Sequence, residues 1–146
     1  MRTLKIFFVL LAVMSLSACN FLGEVNDSID YVNIATDHID KLNTFAGEAP
    51  QLIQEAATDT EVRQNLETQL VTLKQEIEEF ISITEVPSIA ENIHQEFVNK
   101  NELLLNEINK VLANGHLALD QLQDSQIVTT INDVTNLLDR IENLGL

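Results

Sequence analysis

Glu91 and His94 stand three residues apart in Glu91-Asn92-Ile93-His94. On a helix, that spacing brings a carboxylate and an imidazole toward one metal ion, and carboxylate-bridged metal bundles use it. Such a centre takes two of these motifs plus a Glu from each of two further helices. This chain has one motif. At about 100° per residue, Glu91 falls roughly 145° and His94 roughly 85° from the centre of their helix's apolar stripe. Glu91 is therefore expected in solvent, in an N-terminal capping role, and His94 at the boundary. No metal site is expected.

Other chemistry-bearing residues read the same way. Residues 27–33 and 37–43 form a weak repeat, Asp-x-Ile-Asp-x-apolar-Asn. A calcium loop sets alternating ligands around a sharp Gly turn, and neither copy contains Gly, so the repeat reads as a solvated helix face. His38 is expected to pack at a boundary near Tyr31, Ile34 and Leu42. No Gly-x-Ser-x-Gly, His-Glu-x-x-His or Gly-rich phosphate loop occurs. Ser88 and Ser125 precede helices and read as caps, and Glu76, Glu78 and Glu79 as a wet face. No catalytic residue, metal ligand or cofactor-binding residue is assigned, and the expectation is a protein that is not an enzyme.

The one cysteine, Cys19, has a more specific setting. Arg2 and Lys5 precede an apolar run of about eleven residues, Ile6 to Leu16, the layout of a secretory signal. A membrane span needs roughly 20 apolar residues, so this run is too short to be one. Small residues Ser17 and Ala18 then lead into Cys19. Leu16-Ser17-Ala18-Cys19 resembles the lipobox of bacterial lipoproteins. That resemblance implies diacylglycerol on the Cys19 thiol, with acyl chains of the palmitate kind. It also implies cleavage before Cys19 and attachment to the membrane through the lipid. Residues 1–18 are then the cleaved signal, 19–23 a short lipidated tether and 24–146 the folded domain.

Of 146 residues, 128 remain after such cleavage, enough for one domain without a disulfide staple. Arg2 and Lys5 leave with the signal. Eight basic residues become six against 23 acidic ones, and the formal charge moves from −15 to −17. Nucleic acid is bound by neutralising its phosphates with Lys and Arg, so no nucleic-acid partner is expected. An anionic membrane face repels the same surface. The domain should therefore be held by its anchor and not by its own surface. With no Trp and one Tyr, a stacking platform for bases or sugars is also disfavoured.

The elements that must carry these residues are helical. Breakers after the signal fall at Gly23, Gly47, Pro50, Pro87, Gly115 and Gly145, and the stretches between them have helical periodicity. A first helix over about 22–46 carries Val25, Val32, Ile39 and Ala46 at heptad spacing, interleaved with Ser28, Ala35, Leu42 and Ala49. Gly47 is expected to end it and Pro50 to open a short turn of helix. A second helix starts at the capping box Thr58-Asp59-Thr60-Glu61 and ends near Ile81. A third starts at Ser88-Ile89-Ala90-Glu91, with Ile89, Ile93, Phe97, Leu104, Ile108 and Val111 on one face and Gly115 as its C-terminal cap. A loop with a short helix covers 116–123. A fourth helix over about 126–143 shows Ile127, Ile131, Val134, Leu138 and Ile141. The fold class expected is all-α: an antiparallel bundle of about four long amphipathic helices after the N-terminal signal helix. The pattern specifies no oligomeric state.

The first helix has more apolar surface than a simple bundle needs. Tyr31, Ile34, Leu42 and Phe45 form a second line away from Val25 and Ile29. Either the helix is central and buried on most sides, or part of this line is a partner surface, since contiguous exposed apolar patches mark interfaces.

Most of the mature chain resembles a group of small uncharacterised lipoproteins of Bacillus-type Gram-positive bacteria. The resemblance rests on "FLGEVNDSIDYVN" after Cys19, "APQL" at 49–52, "KQEIEEF" at 74–80 and "NLLDRIENLGL" at the end. It implies an anchor at the outer face of the plasma membrane and a helical domain, with no activity to transfer. The expected function is a structural or interaction module at the cell envelope, with an envelope protein as partner. The alternative is a helical lipoprotein that binds a small ligand or cation.

Overall fold

The computed structural model describes the backbone of residues 2–113 and 116–145 and the side chains of 26–112 and 116–144. Helix α1 runs Arg2–Glu55, α2 Thr60–Ile81 and α3 Glu91–Val111. A two-residue antiparallel ladder follows, β1 Leu112–Ala113 with β2 His116–Leu117, Leu112 opposite Leu117. Then come α4 Leu119–Gln123, α5 Ile127–Thr135, α6 Leu138–Glu142 and a 3-10 turn Asn143–Gly145. The protein is all-α apart from that ladder.

The long helices form a four-cornered bundle, with α5 and α6 together supplying the fourth corner. α1 and α3 each pack against α2 and α5 and face each other across the diagonal. Neighbours run antiparallel. Lys41 pairs with Glu76 and His38 stacks on Phe80, so numbers fall along α2 as they rise along α1. Likewise Phe97 meets Phe80 while the Leu117 amide reaches Glu67. The core is one cluster of aliphatic and aromatic side chains with Ile39, Leu66, Phe97, Ile108 and Ile131 at its centre. Burying each such side chain contributes about 1.5–3 kcal/mol.

Local expectations are corrected at several element ends. α1 does not stop at Gly47 but continues through Pro50 to Glu55, and no break marks the start expected near residue 22. Pro50 sits exposed on the outer face, while Ala49 and Ala56 are buried and Leu52 and Ile53 pack on the core. Burial of that stripe outweighs the helix bond that proline cannot make. α2 starts one residue later than the box Thr58-Asp59-Thr60-Glu61 implies, and its cap is Asp59. The amides of Thr58 and Asp59 both still bond the Glu55 carbonyl, so the chain has not left α1's last turn before Asp59. Asp59 is extended, and its carboxylate accepts from the amides of Glu61 and Val62 at 2.8 and 3.2 Å.

α3 begins at Glu91 and not Ser88, with buried Ala90 at the cap position and a turn closed by the Ala90 amide on the Pro87 carbonyl. Ile89 therefore lies in the turn, out of helical register, and is 59% exposed. α3 ends at Val111, where the ladder takes over. Gly115, expected as its cap, lies outside the described residues. The fourth helix is split by a turn at Asn136–Leu137, which buries Leu137 and leaves Leu138 only partly covered. Among the described residues, no helix is long and apolar enough to cross a membrane.

Candidate functional site

Among the described residues, two polar contacts, one buried and one part-buried, join α1 to α3. Tyr31 Oη lies 3.1 Å from His94 Nδ1, and His38 Nε2 lies 2.8 Å from Asn101 Oδ1. Each partner is seven residues on from its predecessor on the same helix. Seven residues is close to two turns, so the two contacts stack along one seam between parallel, diagonal helices. Phe80 of α2 and Phe97 of α3 wall them in. His38 stacks on Phe80 with ring centroids 4.4 Å apart and meets Phe97 edge-on at 5.7 Å.

The hydrogen bonds determine their own polarity. Asn101 Nδ2 donates to the Phe97 carbonyl at 3.0 Å, so its Oδ1 must face His38 and accept a proton from His38 Nε2. His38 is 6% exposed, and desolvation pushes its pKa below the ordinary 6.5, partly offset by the Asn101 bond and by Glu76. Lys41 pushes in the same direction as burial. Burial also lowers the His94 pKa, against a bond to the Ile83 backbone. Since a neutral ring that donates to Ile83 has its other nitrogen free to accept, Tyr31 donates to His94 Nδ1. Tyr31 is pushed up to about 12 by burial, the opposite of an activated phenolate. Among the described residues, every buried side-chain nitrogen and oxygen has a hydrogen-bond partner.

The outer surface beside this seam is a groove, the α1–α2 groove, between α1 on one side and α2 with the segment that follows it on the other. Asp27, Asp30, Tyr31 and Ile34 face residues 82–87 around a cleft of about 690 Å³. A second cleft, of about 360 Å³, continues past Ile34 and Ile83 to Asp37, Lys41, Glu76 and Glu79. A third, of about 390 Å³, extends the groove between α1 and α2 to Thr44, Phe45 and Glu48.

The sequence-derived candidates are placed as follows. Tyr31, Leu42 and Phe45 are buried, so three members of the second apolar line belong to the core. Ile34 alone of the four is exposed, at 49%. The reason is geometric: α1 packs on α2 on one side and α5 on another, and Ile34 falls at the outer edge of the α2 contact. His38 is deeper than a boundary position. Glu91 is exposed and His94 turns to Tyr31. Among the described residues, no three His, Cys, Asp or Glu side chains converge as metal ligands. The side chain of Cys19, the proposed lipidation site, lies outside the described residues. Asn101 was not singled out from the sequence. Its signal was its place on α3, three residues before Leu104 and seven before Ile108, a core position occupied by an amide.

The protein is thus a small all-α domain, a helical bundle with a polar seam, and the chain belongs to a family of unknown function, DUF6376, whose model matches residues 31–144. It is similar to the "Uncharacterized lipoprotein YybP" of Bacillus subtilis (strain 168), with 33% identity over 148 residues, covering 97% of this chain and 99% of that protein. The resemblance to Bacillus lipoproteins seen in the sequence is thus a family relationship. No solved structure matches.

Proposed function

We propose that this protein is an exported lipoprotein held by diacylglyceryl Cys19 at the outer face of the cell membrane. Its bundle is a non-enzymatic interaction module for an envelope protein. The observation that carries this reading is the division of labour in the bundle. His38 is bonded to Asn101 and Tyr31 to His94, whereas the α1–α2 groove, on the helix that leads from Cys19, presents charge and an exposed Ile34 to the outside. The near full-length relationship to a protein named as a lipoprotein supports the anchor.

Detergent phase partition tests the anchor. Wild type enters the detergent phase and Cys19→Ala the aqueous phase, and equal aqueous partition of the two removes the lipid from the reading. Cross-linking in intact cells tests the module. A defined, reproducible partner is expected, and its absence over repeated experiments counts against an interaction role.

A further inference from the structure

The α1–α2 groove has a chemistry that specifies its partner. Among the described residues, six carboxylates line its first two clefts: Asp27, Asp30, Asp37, Glu76, Glu79 and Glu85. The one cation among the described residues there, Lys41, already lies 3.1 Å from Glu76. Ile34 is the large aliphatic side chain on the outer stripe Asp27, Asp30, Ile34, Asp37, Lys41. A single exposed isoleucine is ordinary on a protein surface. Here Ile34 shares the groove with Ile83, Val86 and Pro87, which gives an apolar floor between rims of one charge sign. An apolar centre with a polar rim is the anatomy of a protein interface.

We propose that this groove binds a basic, amphipathic segment of an envelope protein. The segment sets an aliphatic or aromatic side chain on Ile34 and Ile83, with lysines or arginines against the surrounding carboxylates. This deepens, and rests on, the interaction-module reading. The length fits: Asp27 to Lys41 spans about 21 Å of helix, room for roughly six residues of extended chain. The charge selects the occupant. A strongly negative surface speeds encounter with cations and rejects anionic partners. An anionic lipid face is among those rejected. A single metal ion fits poorly, because no three ligating side chains converge among the described residues. Carboxylates strung along a groove match spaced charges on a chain.

The test uses the lipidated protein as cells make it, purified in neutral detergent, and fluorescence anisotropy. The probe is a labelled peptide of about twelve residues, lysine alternating with leucine, so that one face of the extended chain is apolar. Binding is expected to weaken as salt rises. Ile34→Glu and Glu85→Lys should each weaken it by about tenfold, the usual effect of losing one central contact. Leu103→Glu and Asp133→Lys, on the α3–α5 side, should leave it unchanged. Cys19→Ala should also leave it unchanged, so loss of the anchor and failure of the groove are read separately. The proposal is overturned by equal binding of a lysine–serine peptide, by insensitivity to Ile34→Glu, or by equal losses from the far-face variants. It is likewise overturned if Ile34→Glu spares peptide binding but releases the Cys19→Ala protein from phosphatidylcholine vesicles, which makes the patch a lipid contact.

Discussion

His38 Nε2 donates to Asn101 Oδ1 at 2.8 Å, a bond between side chains 63 residues apart that ties α1 to α3 across the bundle diagonal. Asn101 is fully buried and its amide is oriented by the Phe97 carbonyl. Bonds of this kind add little net stability when intact, but are costly when one partner is removed. A buried polar pair at a core position also penalises helix registers that separate the two. Asn101→Leu leaves the His38 N–H unpaired in the core and should cost about 1–3 kcal/mol. Replacing both, His38→Leu with Asn101→Leu, should recover most of that loss. Urea unfolding of the singles and the double reads the coupling, and additive losses would mean that the two side chains do not act as a pair.

The same burial makes stability depend on pH. His38 and His94 both have folded-state pKa values below the ordinary 6.5. Below pH 6.5 the unfolded chain binds protons that the folded chain refuses, so stability is full above 6.5 and falls as pH drops from there toward the folded-state values. The urea midpoint should be lower at pH 5 than at pH 8. In His38→Gln, that difference should shrink. A pH-independent midpoint over this range would show that the imidazoles are not buried neutral.

Tyr31 is the one tyrosine in the chain, so its ionisation can be followed alone by ultraviolet absorbance. Its midpoint should lie near 12 in the folded protein and near 10 after unfolding in urea. The linkage has the opposite sign to the histidines: stability is intact below pH 10 and is lost as pH rises toward 12. A folded-state midpoint near 10 would place the phenol in water.

Ile34 and Phe45 differ in cost although both belong to one apolar line. Ile34→Asp should change stability by no more than about 0.5 kcal/mol, as at other exposed positions. Phe45→Asp puts a carboxylate in place of a buried ring and should cost about 3–5 kcal/mol or unfold the domain. Circular dichroism melts of the two variants decide it, and equal melts would contradict the assigned burial.

Gly47 lies inside α1, and a Cβ added there meets nothing within 4 Å. Gly47→Ala should therefore stabilise by about 0.5–1 kcal/mol through the unfolded chain's lost freedom. Pro50→Ala, which restores a helix bond, should also stabilise. Destabilisation by both would mean that the helix breaks between them.

The helical class, the four amphipathic segments and most of the core were determined by the sequence itself. Apolar residues three and four apart must share a helix face, and that face must be buried whatever it packs against. The stripes Leu66, Leu70, Leu73, Ile77, Phe80 and Ile93, Phe97, Leu104, Ile108, Val111 are buried as their spacing implies. What the spacing did not determine was which local signals would prevail and which faces would meet. Gly47 and Pro50 read as a helix end, yet packing of Ala49 and Leu52 carries the helix past them. Thr58 read as a cap, but α1's last turn holds its backbone and hands the role to Asp59. Tyr31, His38, Leu42 and Phe45 read as surplus apolar or boundary residues. They became core because α1 is covered by both α2 and α5, a consequence of chain packing that no single helix encodes. Only the tertiary structure could bring His38 to Asn101 and leave Ile34 in the acidic groove, since both outcomes depend on contacts between segments far apart in the chain.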